Sequence, residues 1–132
     1  MKRFLTFFAI ILVVLWSLPS CGRGGEEADL VFVNQSDAVI VAVVVDFRDQ
    51  NGGQQNADGS PLKRGESFGF ETGEYPVTLT VYDAPFEDYT QKELGVATIA
   101  SAPPKGERWY VTAWNGAEGI TFTVDTHWPE ET

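Results

Sequence analysis

The sequence predicts an all-β protein, a single antiparallel β-sandwich of about seven strands and of immunoglobulin-like or transthyretin-like size, carried behind an export signal. Three observations lead there. Short runs of alternating apolar and polar residues recur across positions 29–127, turn residues punctuate them, and no long stretch keeps helical spacing. With 132 residues the chain suits one core and leaves no room for a second.

Seven segments carry the strand signal: 29–34, 38–47, 67–71, 75–83, 94–100, 109–114 and 119–126. In 75–83, Val77, Leu79 and Val81 are expected to face the core and Thr78, Thr80 and Tyr82 to face out. In 119–126, Ile120, Phe122 and Val124 alternate in the same way with Thr121, Thr123 and Asp125. The run 39–45 is apolar on both faces, so its strand is expected at a sheet centre with both sides covered, or with one face against a partner. Turn chemistry at Asn34-Gln35-Ser36-Asp37, Glu71-Thr72-Gly73-Glu74 and Asn115-Gly116-Ala117-Glu118 links successive strands, and Pro103-Pro104 stiffens the approach to 109–114.

Ahead of the domain, Lys2 and Arg3 precede an almost wholly apolar stretch over 4–18. A membrane span needs about 20 apolar residues, so this run has the length of a signal segment instead. It ends in Leu18-Pro19-Ser20-Cys21-Gly22, which resembles the lipobox of bacterial lipoproteins: a Leu three residues before the Cys and a small residue just before it. Pro19 departs from the small residue more usual there. The resemblance implies that residues 1–20 are a signal peptide removed on export. It further implies that Cys21 then carries a thioether-linked diacylglycerol, with palmitate-type chains, on the extracytoplasmic face of the membrane. Cys21 is the sole cysteine, so no disulfide can form within the chain, and a lipid-blocked thiol is no reactive liability. Two other readings stay open: an uncleaved N-terminal anchor, or cleavage near Gly22 that frees a soluble protein. Residues 21–28 read as a flexible tether, 29–127 as the sandwich and 128–132 as a polar tail. In its Val31-Phe32-Val33-Asn34 opening and its Gly65-Glu66-Ser67 segment the domain is similar to small, uncharacterised β-sandwich domains of bacterial lipoproteins. That likeness implies a sandwich and no particular activity.

The formal charge is −10, and the loss of Lys2 and Arg3 would deepen it by two. The basic residues are scattered, with only Lys63 and Arg64 adjacent, so nucleic acid is not an expected partner. The acidity suits a solvated surface.

Candidates for chemistry are few. Residues 48–65 read as a long loop rich in oxygen donors and glycine, with Asp49, Asn51 and Asp58 as possible ligands of a hard cation. Their spacing does not match an EF-hand and the carboxylates are too few, while turn-forming Asn, Asp and Gly are the usual content of any such loop. Gly65-Glu66-Ser67-Phe68-Gly69 fits the G-x-S-x-G pattern, with Asp125 and His127 following in hydrolase order. That pattern needs a strained strand-to-helix turn in a parallel sheet. Here Phe68 and Phe70 alternate around Ser67 and Gly69 as in a strand, so a hydrolase using Ser67 is a remote alternative. One His and one blocked Cys do not suit zinc, and no cofactor is expected beyond the lipid. In the loop 84–92, Phe86 and Tyr89 either anchor a partner or fold back over the end of the sandwich. On 109–114, Tyr110 and Trp114 share the face opposite Trp109, and with Tyr82 could form a platform that stacks sugar rings or peptide side chains.

The expected function is therefore a membrane-anchored, noncatalytic binding module of the cell envelope, with a cell-wall polymer or an envelope protein as partner. A structural accessory subunit of a surface complex is the alternative, with an apolar strand or a sheet edge paired to another chain.

Overall fold

Alternating apolar side chains need a second apolar face to cover them, and the chain supplies it as two four-stranded sheets packed face to face. The computed structural model describes residues 28–48 and 50–130. Residues 1–27, on which the expected signal peptide, Cys21 and most of the expected tether fall, lie outside the described residues, as do Asp49 and the last two residues. The strands are β1 (Leu30–Gln35), β2 (Ala42–Phe47), β3 (Gln50–Gln55), β4 (Ser67–Phe70), β5 (Val77–Tyr82), β6 (Glu93–Ile99), β7 (Trp109–Gly116) and β8 (Gly119–Asp125). One sheet has the order β4-β1-β7-β8 and the other β3-β2-β5-β6. Between them lies one core, to which the first sheet contributes Leu30, Phe32, Phe68, Phe70, Val111 and Ala113. The second adds Val43, Val45, Phe47, Val77, Leu79, Val81 and Ile99. The all-β sandwich expected from alternation is what the chain forms, and Val77, Leu79 and Val81 are fully buried as their spacing requires.

Four features depart from the sequence reading. There are eight strands among the described residues, because Gln50–Gln55, read as loop, pairs antiparallel with β2. That segment has no apolar side chain to alternate, so it carries no periodic signal; backbone pairing alone makes it a strand. Second, the pairing is not wholly antiparallel, for β1 runs parallel to β7 with Leu30 opposite Trp109 and Gln35 opposite Trp114. Third, the 38–47 strand begins only at Ala42. Before it, Ile40 makes an isolated bridge to Leu62, and Val39 is 58% exposed. Fourth, the turns at 34–37 and 71–74 carry the chain from one sheet to the other, whereas only 115–118 closes a hairpin, with Gly116 opposite Gly119.

β1 is buried over its whole length. Leu30 and Phe32 enter the core, while Val31 and Val33 form a second apolar cluster with Ala28 on the outer face, against Tyr110. Ala28, read as the last tether residue, is thus part of the packed domain. Polar groups fix both ends of the strand. At the far end Asn34, 1% exposed, donates from Nδ2 to the Leu62 carbonyl at 2.8 Å. Its Oδ1 accepts from the Ser36 amide and hydroxyl. At the near end the Asp29 carboxylate accepts from the Thr72 and Gly73 amides, the Thr72 hydroxyl and the Tyr75 hydroxyl, all at 2.7–2.9 Å. Burial pushes the Asp29 carboxyl up, but these four donors outweigh it and hold it below the ordinary carboxylate value. Burial, reinforced by the bond to Asp29, pushes the Tyr75 phenol up to about 12.

These shifts set a pH window. The depressed Asp29 group stabilises the fold above the unfolded carboxylate range, and that contribution is lost as pH falls through its lowered folded value. The raised Tyr75 group contributes in full below pH about 10, its unfolded value, and that contribution is lost as pH climbs toward about 12. Asp29→Asn is expected to lower unfolding stability by about 1–2 kcal/mol at neutral pH, the half-exposed site tempering the four bonds. Urea midpoints at pH 7 and pH 3 should then differ less in the variant than in the wild type.

Candidate functional site

The outer face of the first sheet, together with the segment after β8, carries a surface rich in aromatic and hydroxyl groups. Successive side chains on β7 alternate, so Val111 and Ala113 are buried in the core while Tyr110, Thr112 and Trp114 occupy the outer face of the first sheet. Trp109, on the inner side, packs at the core margin and donates from Nε1 to the Ser101 carbonyl at 2.8 Å. Across the hairpin, Thr112 stands opposite Thr123 and Tyr110 opposite Asp125. Trp114 donates from its indole Nε1 to the Thr123 hydroxyl at 2.8 Å, which fixes the ring against the sheet.

Beyond β8 the chain does not leave as a solvated tail. It turns back, and Trp128 meets Tyr110 edge to face, with ring centroids 5.7 Å apart and planes at 73°. Trp114, Thr112 and Thr123 on one side and Asp125, His127 and Trp128–Glu130 on the other enclose a trough of about 490 Å³. Its floor is the buried Thr112, and its margins are two indoles, a carboxylate, an imidazole and a second carboxylate. Rings of this kind stack on apolar faces, while hydroxyls and carboxylates accept and donate at the edges of a hydroxyl-rich ligand. His127 Nδ1 lies 2.9 Å from Asp125 Oδ1. The hydrogen bond and the charge of Asp125 raise the His127 imidazole above its ordinary value, and the same pair lowers Asp125.

The chain matches no family model, no curated protein and no solved structure. Function must then be argued from the placement of side chains alone.

Of the aromatic residues expected to act together, Tyr110 and Trp114 share the trough's sheet, but Tyr82 does not. It lies on β5, opposite Ala42, in the other sheet and on its outer side, so the thickness of the sandwich separates it from them. Period-2 reasoning assigns a face within a strand and cannot assign the sheet. Tyr110 is also no free platform, since it packs on the Ala28–Val31–Val33 cluster under Trp128. The residues that replace it, Trp128 and His127, follow the last strand, where the sequence reads as a tail and its margin. The available signal was a large aromatic in a polar tail, which solvation alone does not require.

Of the candidate cation ligands, Asp49 lies outside the described residues, and Asn51 and Asp58 are not drawn together. Asn51 sits within β3 opposite Asp46, and four residue steps of extended strand, about 13 Å, separate it from Gln55. Asp58 lies beyond, its Oδ1 accepting from the Ser60 amide and hydroxyl in a local turn, while Asn56 Nδ2 donates to the Ser60 and Pro61 carbonyls. Among the described residues no group of three or more His, Cys, Asp and Glu side chains could hold a metal ion. Ser67 is 5% exposed on β4, and its Oγ has no hydrogen-bond partner among the described residues, so it is not coupled to His127. In the loop 84–92 the two aromatics part company. The Phe86 ring covers Gly53 so closely that a Cβ there would stand 2.6 Å from its Cζ, whereas Tyr89 is 97% exposed.

The His127–Asp125 pair is directly measurable. In an NMR pH titration His127 should titrate above the ordinary imidazole value, and Asp125→Asn should bring it down toward 6.5. An unchanged titration in that variant would mean that the two side chains do not pair in solution.

Proposed function

We propose that this protein is a lipoprotein of the bacterial cell envelope, held on the extracytoplasmic face of a membrane by diacylglycerol on Cys21. Its sandwich is a noncatalytic module that binds an envelope polymer in the trough between Trp114 and Trp128. The observation that carries the reading is the trough itself, lined by two indoles, two threonines and the side chains of Asp125, His127 and Glu130. A saccharide suits it, because its C–H faces stack on indole and its hydroxyls meet carboxylate and hydroxyl groups.

The topology is compatible with such an anchor. Asp29 bonds to Thr72, Gly73 and Tyr75, and Arg48 pairs with Glu74 at 3.1 Å, so one end of the sandwich gathers 28–29, 48 and 71–76. The chain joins the domain at that end. The loops 56–66 and 83–92, with Tyr89, lie at the opposite end, about 20 Å away along six-residue strands. A lipid on Cys21 would leave those loops pointing away from the bilayer. A noncatalytic role is supported by the burial of Ser67 Oγ and by the lack of any hydrogen bond between it and the sole histidine.

Two experiments separate the anchor from the module. Intact mass of the protein made in a bacterium should show loss of residues 1–20 and gain of a diacylglycerol. Cys21→Ser should lose both changes and the membrane partition; identical behaviour of the two proteins would remove Cys21 as the anchor. Retention on isolated cell-wall polysaccharide should fall about tenfold or more in Trp114→Ala with an unchanged circular dichroism spectrum. Retention equal to wild type would sink the trough as the binding site.

A further inference from the structure

The two open sides of the sandwich are not equivalent. Where β6 and β8 meet, the gap is filled: a Cβ added to Gly95 would stand 2.9 Å from Phe122 and 3.3 Å from Ile120. Where β3 and β4 meet, two openings of about 900 and 520 Å³ follow each other along the seam. Core side chains reach both of them, Leu62 and Phe68 in the larger, Val45, Phe47 and Phe70 in the smaller. Across the seam, Gln54 Nε2 donates to the Gly69 carbonyl at 3.1 Å.

The direction of the β4 backbone gives that bond its meaning. The Asp29 amide donates to the Phe70 carbonyl and the Asn34 amide to the Glu66 carbonyl, so the even-numbered residues of this strand turn their peptide groups toward β1. Alternation then turns those of Ser67 and Gly69 toward the seam, where β4 is the edge of its sheet. At Gly69 a side-chain amide stands where the N–H of a neighbouring strand would donate. Two positions along β4, Ser67 is 5% exposed with an Oγ that has no hydrogen-bond partner among the described residues. Buried hydroxyls without partners are rare, and a threonine or serine on an adjacent strand is the partner that sheet geometry offers. The facing edge lacks the usual defences, since Gln50–Gln55 contains no charge and no proline.

We infer that the β3–β4 seam receives an extended segment of another protein, which adds to the free edge of β4 as a fifth strand of the first sheet and displaces the Gln54 amide from Gly69. Its alternate side chains are apolar and small enough to lie over Phe68 and Phe70, and a hydroxyl residue on its other face meets Ser67. Exposed Glu66 and Glu71 bracket β4 on a chain of charge −10, so the segment carries Lys or Arg at its ends. The seam is separate from the trough, with Trp128 as the wall they share, so either site can fail while the other stands.

The probe is the peptide acetyl-Lys-Val-Thr-Val-Thr-Val-Lys-amide, with a copy N-methylated at alternate residues as the control that cannot pair. Added to the purified protein, the first should slow hydrogen exchange of the Ser67 and Gly69 amides about tenfold or more, and the second should not. Gln54→Ala, which removes the competing donor, should tighten peptide binding about threefold, a gain that a merely structural Gln54 would not produce. The inference is overturned by absence of binding at millimolar peptide, or by binding that leaves those two amides unchanged. Equal binding of the N-methylated copy, or a Gln54→Ala protein that binds no more tightly than wild type, would overturn it as well.

Discussion

Burial of β1 on both faces is the constraint from which the rest of the structure follows. A strand with apolar side chains on each side cannot sit at an edge or face water, so it takes neighbours on both flanks, β4 antiparallel and β7 parallel. The inner face finds its cover in the second sheet. The outer face, Val31 and Val33, finds it in Tyr110 and in the chain that returns after β8, which brings Trp128 onto Tyr110. The polar ends of the strand are satisfied by groups from distant segments, Thr72 to Tyr75 at one end and Leu62 at the other. A strand in the middle of a sheet leaves no backbone group unpaired, and these two side chains extend the same accounting beyond its ends.

The same need to cover surface explains where glycine occurs. Gly53 and Gly95 each lie under an aromatic ring that occupies the space of a missing Cβ, Phe86 in the first case and Phe122 in the second. Rings laid over strand glycines restore the packing that a bare backbone lacks. One of them also seals the β6–β8 side of the core. Between β3 and β4 a glutamine amide spans the gap, and openings lined by Phe68, Phe47 and Phe70 remain beside it. The asymmetry of the two sides is thus one of side-chain size.

The trough is a by-product of the returning chain. Trp114 is fixed by Thr123, Trp128 by Tyr110, and the space between them is bounded by groups that remain polar and accessible. Such a surface is preorganised, because neither indole needs to be ordered on binding. Asp125 and His127, paired at its margin, hold opposite charges when both are ionised and so reinforce one another.

Alternation made much of this legible in advance. The inward rows Val77–Leu79–Val81 and Val111–Ala113, the outward row Tyr110–Thr112–Trp114 and the turn at 115–118 depend on period-2 geometry and local turn chemistry, which act within one strand or hairpin. The basic start and the apolar run over 4–18 are read from the sequence alone, and the export signal they suggest is an expectation. What only the tertiary structure decided is which strands became neighbours. β3 has no apolar rhythm and exists through its pairing with β2, the parallel β1–β7 contact joins segments nearly eighty positions apart, and Tyr82 went to the sheet opposite Trp114. Sequence periodicity specifies the face on which a side chain lies. The sheet to which that face belongs is set by non-local burial, which no single segment encodes.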